Sequence, residues 1–183
     1  MTEAGSEREQ VFDALFRENI GGIASYCRRH SRSPGEVDDA VAEVFLTAWR
    51  RLDDVPPGTG ARAWLYATAR RVMANQARAR ARRGRLHDKL SAQPVTRQAA
   101  AGSLAGRVQD ALAALGARDR EVLLLAEWEG LTPAEIATVL RCPGVTVRGR
   151  LHRARRRFRA AFESQEAAEA PAAGRSPLAR SGS

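Results

Sequence analysis

Apolar residues recur along nearly the whole chain at intervals of three and four, and no stretch alternates with the period of two that a half-buried strand requires. The pattern predicts an all-α fold. Its helical stripes fall into two blocks. The first, 7–85, opens on a helix whose buried positions would be Val11, Phe12, Leu15, Phe16, Ile20 and Ile23, with Gly21 and Gly22 weakening its middle. A turn at 31–35 follows, and Pro34 with Glu36, Asp38 and Asp39 suits the acidic first turn of a second helix ending near Asp53. Pro56, Pro57, Gly58 and Gly60 predict a loop before helix resumes over 63–83 through Trp64, Leu65, Ala69, Val72 and Met73. Over 86–103 the periodicity fades into Ser, Gln, Pro, Thr, Ala and Gly, which reads as a flexible linker. The second block, 104–163, places Val108, Leu112 and Leu115 in one helix and 122–125 in another, then ends in a two-helix motif. The stretch 164–183 holds a single leucine among Ala, Glu, Pro, Gly, Ser and Arg and is expected to be a disordered tail. The architecture implied is two small helical domains joined by a flexible linker.

The segment 131–158, LTPAEIATVLRCPGVTVRGRLHRARRRF, reads as a helix-turn-helix. Thr132, Pro133 and Glu135 form a helix start: a hydroxyl N-cap, a proline where no amide donor is needed, and a carboxylate three residues on that completes a capping box. Ile136, Ala137 and Leu140 give this short helix its apolar face, and Cys142, Pro143 and Gly144 turn the chain. In the helix that follows, Val147, Leu151, Ala154 and Phe158 repeat at helical spacing and must face inward. Arg148, Gly149, His152, Arg153 and Arg156 are left on the opposite side. A helix with this arginine face fits a DNA major groove, where guanidinium groups read guanine edges while Arg150, Arg155 and Arg157 on the flanks meet phosphates. The plainer alternative is a solvated basic helix, but solubility alone does not require a capped helix, a tight turn and an apolar stripe opposite the arginines.

Charge supports the nucleic-acid reading. Thirty Lys and Arg against twenty-one Asp and Glu give a net charge of +9, and the isoelectric point is near 11.1. The cations cluster at Arg70, Arg71, Arg78, Arg80, Arg82, Arg83 and Arg85 and again over 148–159, which suggests two contact surfaces. Cys27 and Cys142 are too few and too scattered for a disulfide framework or a metal knuckle, so no metal and no cofactor is expected and a reducing interior is the default. No run approaches membrane length and no basic start precedes an apolar stretch, so neither membrane insertion nor export is expected, and the location implied is cytoplasmic. Catalysis is not expected either. His30, His87 and His152 stand apart, no Gly-rich phosphate loop occurs, and no nucleophile has an evident base.

The second helix, within EVDDAVAEVFLTAWRRLDD, carries two stripes. Val41, Val44, Phe45, Ala48, Trp49 and Leu52 make the core face, while Asp39, Ala42, Glu43, Leu46 and Arg50 line up beside it. A solvated face with one stray leucine accounts for the second stripe; so does a docking surface for a basic amphipathic partner.

Four segments in this order, VDDAVAEVFLTAWRRL, ARAWLYATARRVMANQ, ALAALGARDREVLLLAEWEGLTPAEIATVL and CPGVTVRGRLHRARRRF, resemble the extracytoplasmic-function sigma factors, the small two-domain group of the sigma-70 family, over roughly 12–162. The resemblance implies that 7–85 is region 2, which binds the clamp helices of the polymerase β′ subunit and opens the −10 element, and that 104–163 is region 4, which reads the −35 element and meets the β flap. On that basis Asp39, Glu43, Leu46 and Arg50 would bind core RNA polymerase, with Ala42 standing where the family usually has glutamine. The loop 53–62 would receive a flipped base, and Arg62, Trp64, Tyr66, Arg70, Arg71 and Asn75 would line the separated strands, a role suited to aromatic and cationic side chains. Trp64 reads as a core tryptophan before a stacking one, and Tyr66 is balanced between core and stacking. Region 4 would contact promoter DNA through Thr146, Arg148, Gly149, Arg150, His152, Arg153, Arg155 and Arg156, with Gly149 where a serine is usual. An anti-sigma factor is the further partner implied. The rival reading is a stand-alone helix-turn-helix regulator whose first block senses a ligand or dimerises, and a structural adaptor without DNA binding comes third. The rival would bind a palindromic duplex by itself.

Overall fold

The computed structural model describes residues 3–31, 33–87 and 103–169. Among these residues the chain is helical throughout: α1 (Glu3–His30), α2 (Pro34–Arg50), a 3₁₀ turn (Leu52–Asp54), α3 (Thr59–His87), α4 (Leu104–Ala113), α5 (Ala117–Glu127), α6 (Pro133–Leu140) and α7 (Gly144–Glu169). They gather into two compact units. One is drawn from 1–96 and 124–149, the other from 97–123 and 150–183.

In the first unit α1, α2 and α3 pack on one another and α6 packs on α3. Leu15, Ile23, Ala40, Val44, Ala48, Leu65 and Ala69 are buried, as are Ile136 and Val139 from α6. Helix α2 starts where its residues dictate. The Ser33 hydroxyl accepts from the Glu36 amide at 3.4 Å and Pro34 fills the first helical position. A cluster of Phe12, Phe16, Phe45 and Trp49 closes one end of α1 on α2, with Phe16 and Phe45 edge to face at 4.7 Å and Phe12 and Trp49 likewise at 5.2 Å. Arg80 on α3 reaches Glu36 at 2.6 Å and ties the far half of that long helix to the start of α2. Gly22 on α1 faces Tyr66 on α3. A β-carbon there would lie 2.7 Å from the Tyr66 hydroxyl.

Helix α6 begins with the capping box read from Thr132 and Glu135: the Thr132 hydroxyl accepts from the Glu135 amide, and the Glu135 carboxylate accepts from the Thr132 amide at 2.8 Å. It ends on Arg141, held at a φ of 51° in the left-handed region usually left to glycine. In the second unit Ser103 caps α4 through the Gly106 amide at 3.1 Å. Arg120 closes the other end of α4 by donating to the carbonyls of Leu112, Ala113 and Leu115. Arg157 pairs with the largely buried Asp119 at 3.0 Å, and Arg107 lies over the Phe162 ring.

Several expected details are corrected. Val11 and Phe16 are exposed because α1 meets its neighbours over a narrower face than its apolar stripe. Trp49 sits at the rim of the core, edge to face with Phe12 and under Arg8. Helix α3 starts at Thr59 instead of Ala63 and takes in Gly60, where a side chain would collide with Pro56. It also runs through Leu86 to His87, and α7 continues past 163 to Glu169 on the good helix formers of QEAAE. The expected linker otherwise falls, over 88–102, outside the described residues, as does 170–183 of the expected tail.

Candidate nucleic-acid and partner interfaces

The outer face of α2 carries Asp39, Ala42, Glu43, Leu46 and Arg50, all exposed, with Leu46 at 47%. The two-stripe pattern is thus real: Ala40, Val44 and Ala48 point inward while the acidic stripe faces out. Beside it runs an apolar groove of about 400 Å³ between α1 and α2, lined by Phe16, Ile20, Val37, Val41, Ala42 and Phe45 among others. Phe16 is open to it, which sequence reasoning missed because an aromatic at core spacing reads as core. An acidic stripe flanking an apolar groove presents an amphipathic helix with both things it needs, a dry trough and opposite charge.

A second surface is the face of α3. Here the expected order of the two aromatics is reversed. Trp64 is half-buried and lies under the Arg51 guanidinium, whereas Tyr66 is 2% exposed. The Tyr66 hydroxyl donates to the Glu129 carboxylate at 3.0 Å, and its ring meets Tyr26 edge to face at 5.6 Å. Arg62 stacks over Tyr66 and donates to the backbone carbonyls of Glu129 and Gly130. Arg29 completes the cluster with an ion pair to Glu129. Burial, and after it the Glu129 charge and hydrogen bond, pushes the Tyr66 phenol up to about 12, with Arg62 acting the other way. Burial and then the same carboxylate push the Cys27 thiol up to about 11. Arg70 is half-buried, Arg71 and Asn75 are exposed, and the Asn75 side chain accepts from Arg78. Glu129 is the residue the sequence did not disclose. Its partners lie a hundred residues away for Arg29 and sixty-three for Tyr66, and an acid in a turn carries no signal of that.

The third surface is α7. Val147, Leu151 and Ala154 are buried, Phe158 is half-buried, and Arg148, His152, Arg153, Arg155 and Arg156 are exposed, as the periodicity requires. Thr146, Gly149 and Arg150 are half-buried at the edge of that face. Arg157, expected among the phosphate contacts, pairs with Asp119 at 3.0 Å while its side chain stays exposed. Among the described residues no group of His, Cys, Asp or Glu is placed to hold a metal, and no helix is long and apolar enough to cross a membrane.

Comparison with known proteins identifies the family. The family model for Sigma-70 region 2 matches residues 15–83, and that for Sigma-70 region 4 matches 105–158. The chain is 29% identical over 175 residues to the RNA polymerase sigma factor CnrH of Cupriavidus metallidurans, covering 88% of this chain and 92% of CnrH. It is 30% identical over 161 residues to the ECF RNA polymerase sigma factor SigL of Mycobacterium tuberculosis, covering 85% and 91% of the two chains. Among solved structures, CnrH in complex with the cytosolic domain of CnrY superposes with a TM-score of 0.60 at 26% identity, over 85% of this chain and 90% of that one. The sigma factor RpoE of Bartonella quintana, in complex with the anti-sigma factor NepR, has the same fold, with a TM-score of 0.60 at 23% identity over 89% and 98% of the chains. With both family models matched in order and relatives of this kind matched over most of their length, the chain belongs to the extracytoplasmic-function sigma factors of the sigma-70 family, transcription factors that direct the initiation of transcription.

Proposed function

We propose that this chain binds core RNA polymerase through α2 and carries it to promoters by reading the −35 element with α7 and holding the opened −10 element on α3. The observation that carries this reading is the pairing, in one chain, of an exposed acidic stripe beside an apolar groove with a separate arginine face on a helix-turn-helix. On α2, Asp39, Glu43, Leu46 and Arg50 meet the β′ clamp helices, with the groove taking apolar side chains of the same partner. On α7, Arg148, His152 and Arg153 read bases, while Thr146, Arg150, Arg155 and Arg156 hold phosphates beside Gly149. On α3, Arg62, Trp64, Tyr66, Arg70, Arg71 and Asn75 receive the separated strand. The working divisions are 7–85 for region 2 and 104–163 for region 4, joined by 86–103 and followed by 164–183. Region 4 also meets the β flap. The chain itself is no enzyme, since bond making belongs to the polymerase, and it acts in the cytoplasm where the polymerase is. An anti-sigma factor is a further partner, as NepR is for the Bartonella quintana RpoE described above.

The test is transcription in vitro. Core polymerase supplemented with this chain should yield promoter-dependent transcripts from a genomic fragment library, and polymerase without it should not. A stand-alone regulator would instead bind a palindromic duplex as a dimer with no polymerase present, and would leave transcription by the core enzyme unchanged.

A further inference from the structure

Within the first unit, the turn 128–132 places a buried carboxylate against the α3 side chains assigned above to the opened strand. Glu129 is 6% exposed. Its carboxylate is held by Arg29 from α1 and by the Tyr66 hydroxyl from α3, and its carbonyl, with that of Gly130, is held by Arg62. Gly130, at a φ of 61°, supplies the left-handed step that lets both residues of the turn present acceptors to Arg62. An anionic oxygen gripped by guanidinium and phenol donors is chemically what a strand phosphate offers to the same groups. Next to this cluster α6 lies across α3, and a cleft of about 420 Å³ brings Thr138, Val139 and Arg141 opposite Trp64, Arg70 and Arg71. Arg62 and Tyr66 are thus bound by the turn, while Trp64, Arg70 and Arg71 face α6 across the cleft.

We propose that Glu129 is an intramolecular latch, a carboxylate that stands in for strand phosphate, so that the turn 128–132 and single-stranded promoter DNA compete for Arg62 and Tyr66. The proposal rests on the assignment of those two residues to the strand. Because the apparent affinity of a chain for a ligand falls with the fraction that is open, a latched chain binds single strands weakly and an unlatched one binds them better.

The experiment uses the full chain without polymerase, a labelled mixed-sequence single-stranded DNA, and two variants. Glu129→Gln keeps the shape of the side chain and removes its charge. Arg29→Gln breaks the ion pair from the α1 side and alters no residue assigned to DNA or polymerase. Each should bind the strand about tenfold more tightly than the unmodified chain. The double variant should gain no more than the better single one, and amides over 60–75 and 128–141 should exchange hydrogen faster in all three. Variants that remain helical with unchanged affinity and unchanged exchange overturn the latch. Should Glu129→Gln fail to fold, Arg29→Gln decides, and if that chain also unfolds the cluster is a structural brace and the latch is wrong. The reading of the chain as a sigma factor fails by a different result, the absence of promoter-dependent transcripts when the unmodified chain is added to core polymerase.

Discussion

At the scale of single residues, the groups around Glu129 tie stability to pH on the alkaline side. Cys27 and Tyr66 hold their protons more tightly when folded, at about 11 against 9.0 and about 12 against 10.0. A raised folded value means the contribution is complete below the unfolded one and is lost as pH climbs through the folded one. Stability should therefore be level below pH 9, fall between roughly 9 and 12, and lose on the order of 2 kcal/mol for each group over that span. Circular dichroism melts across that window measure it. Tyr66→Phe cannot ionise, so its stability should fall less steeply with pH than that of the unmodified chain; an identical slope would show that the phenol does not contribute. Arginines on α7 separate in the same way by what they touch. Arg148 and Arg153 are exposed, and their replacement by alanine should cost about 1 to 3 kcal/mol at particular −35 bases without lowering the melting temperature. Arg157 pairs with Asp119, a residue 9% exposed, so Arg157→Ala should cost about 1 kcal/mol of stability and weaken all DNA sequences alike. Equal melting temperatures for the three variants would contradict that division.

At the scale of elements, α2 is the part that was written most openly in the sequence. Its proline, its acidic first turn and its two stripes follow from side chains within a few residues of one another, and local chemistry of that kind survives folding. The same holds for the capping box of α6 and the inward stripe of α7. What could not be read depends on partners distant in sequence. Phe16 has core spacing but opens on a groove, Tyr66 is drawn inward by Glu129, and Arg141 takes a conformation that glycine would have announced. Gly22 illustrates the difference, since in sequence it looks like a weak point of α1, yet it is the seat for the Tyr66 hydroxyl. Gly22→Ala should accordingly destabilise the first unit by about 1 to 3 kcal/mol through overpacking, against a helix-propensity gain of about 1 kcal/mol. Thermal denaturation of Gly22→Ala beside Gly21→Ala checks this, because an added β-carbon at Gly21 meets nothing within 4 Å and should stabilise slightly. On the outer face of α2, Glu43→Arg should lower affinity for core polymerase about tenfold while leaving stability within about 0.5 kcal/mol. Unaltered retention on immobilised polymerase would remove α2 from the interface.

At the scale of the whole molecule, the first unit is assembled from two stretches that are far apart in the chain, 1–96 and 124–149. Its contacts include the Glu129 cluster and the packing of α6 on α3, and both depend on the second stretch returning to the first. A covalent connection makes that return intramolecular, with an effective concentration on the order of millimolar for a short connection. Cutting the chain within 88–102 removes none of the described contacts, yet it converts the return into a bimolecular association. The nicked protein should therefore melt at a temperature that rises with protein concentration, whereas the intact chain should not. Salt should lower the nicked melting temperature further, because guanidinium and carboxylate groups form the joint, and partly buried pairs still respond to screening at their exposed arginine side. Glu129→Gln in the nicked protein should weaken the association at every concentration. Two transitions indifferent to both concentration and salt would mean that 124–149 does not complete the first unit in solution, and that the α3 face is open to DNA without any displacement.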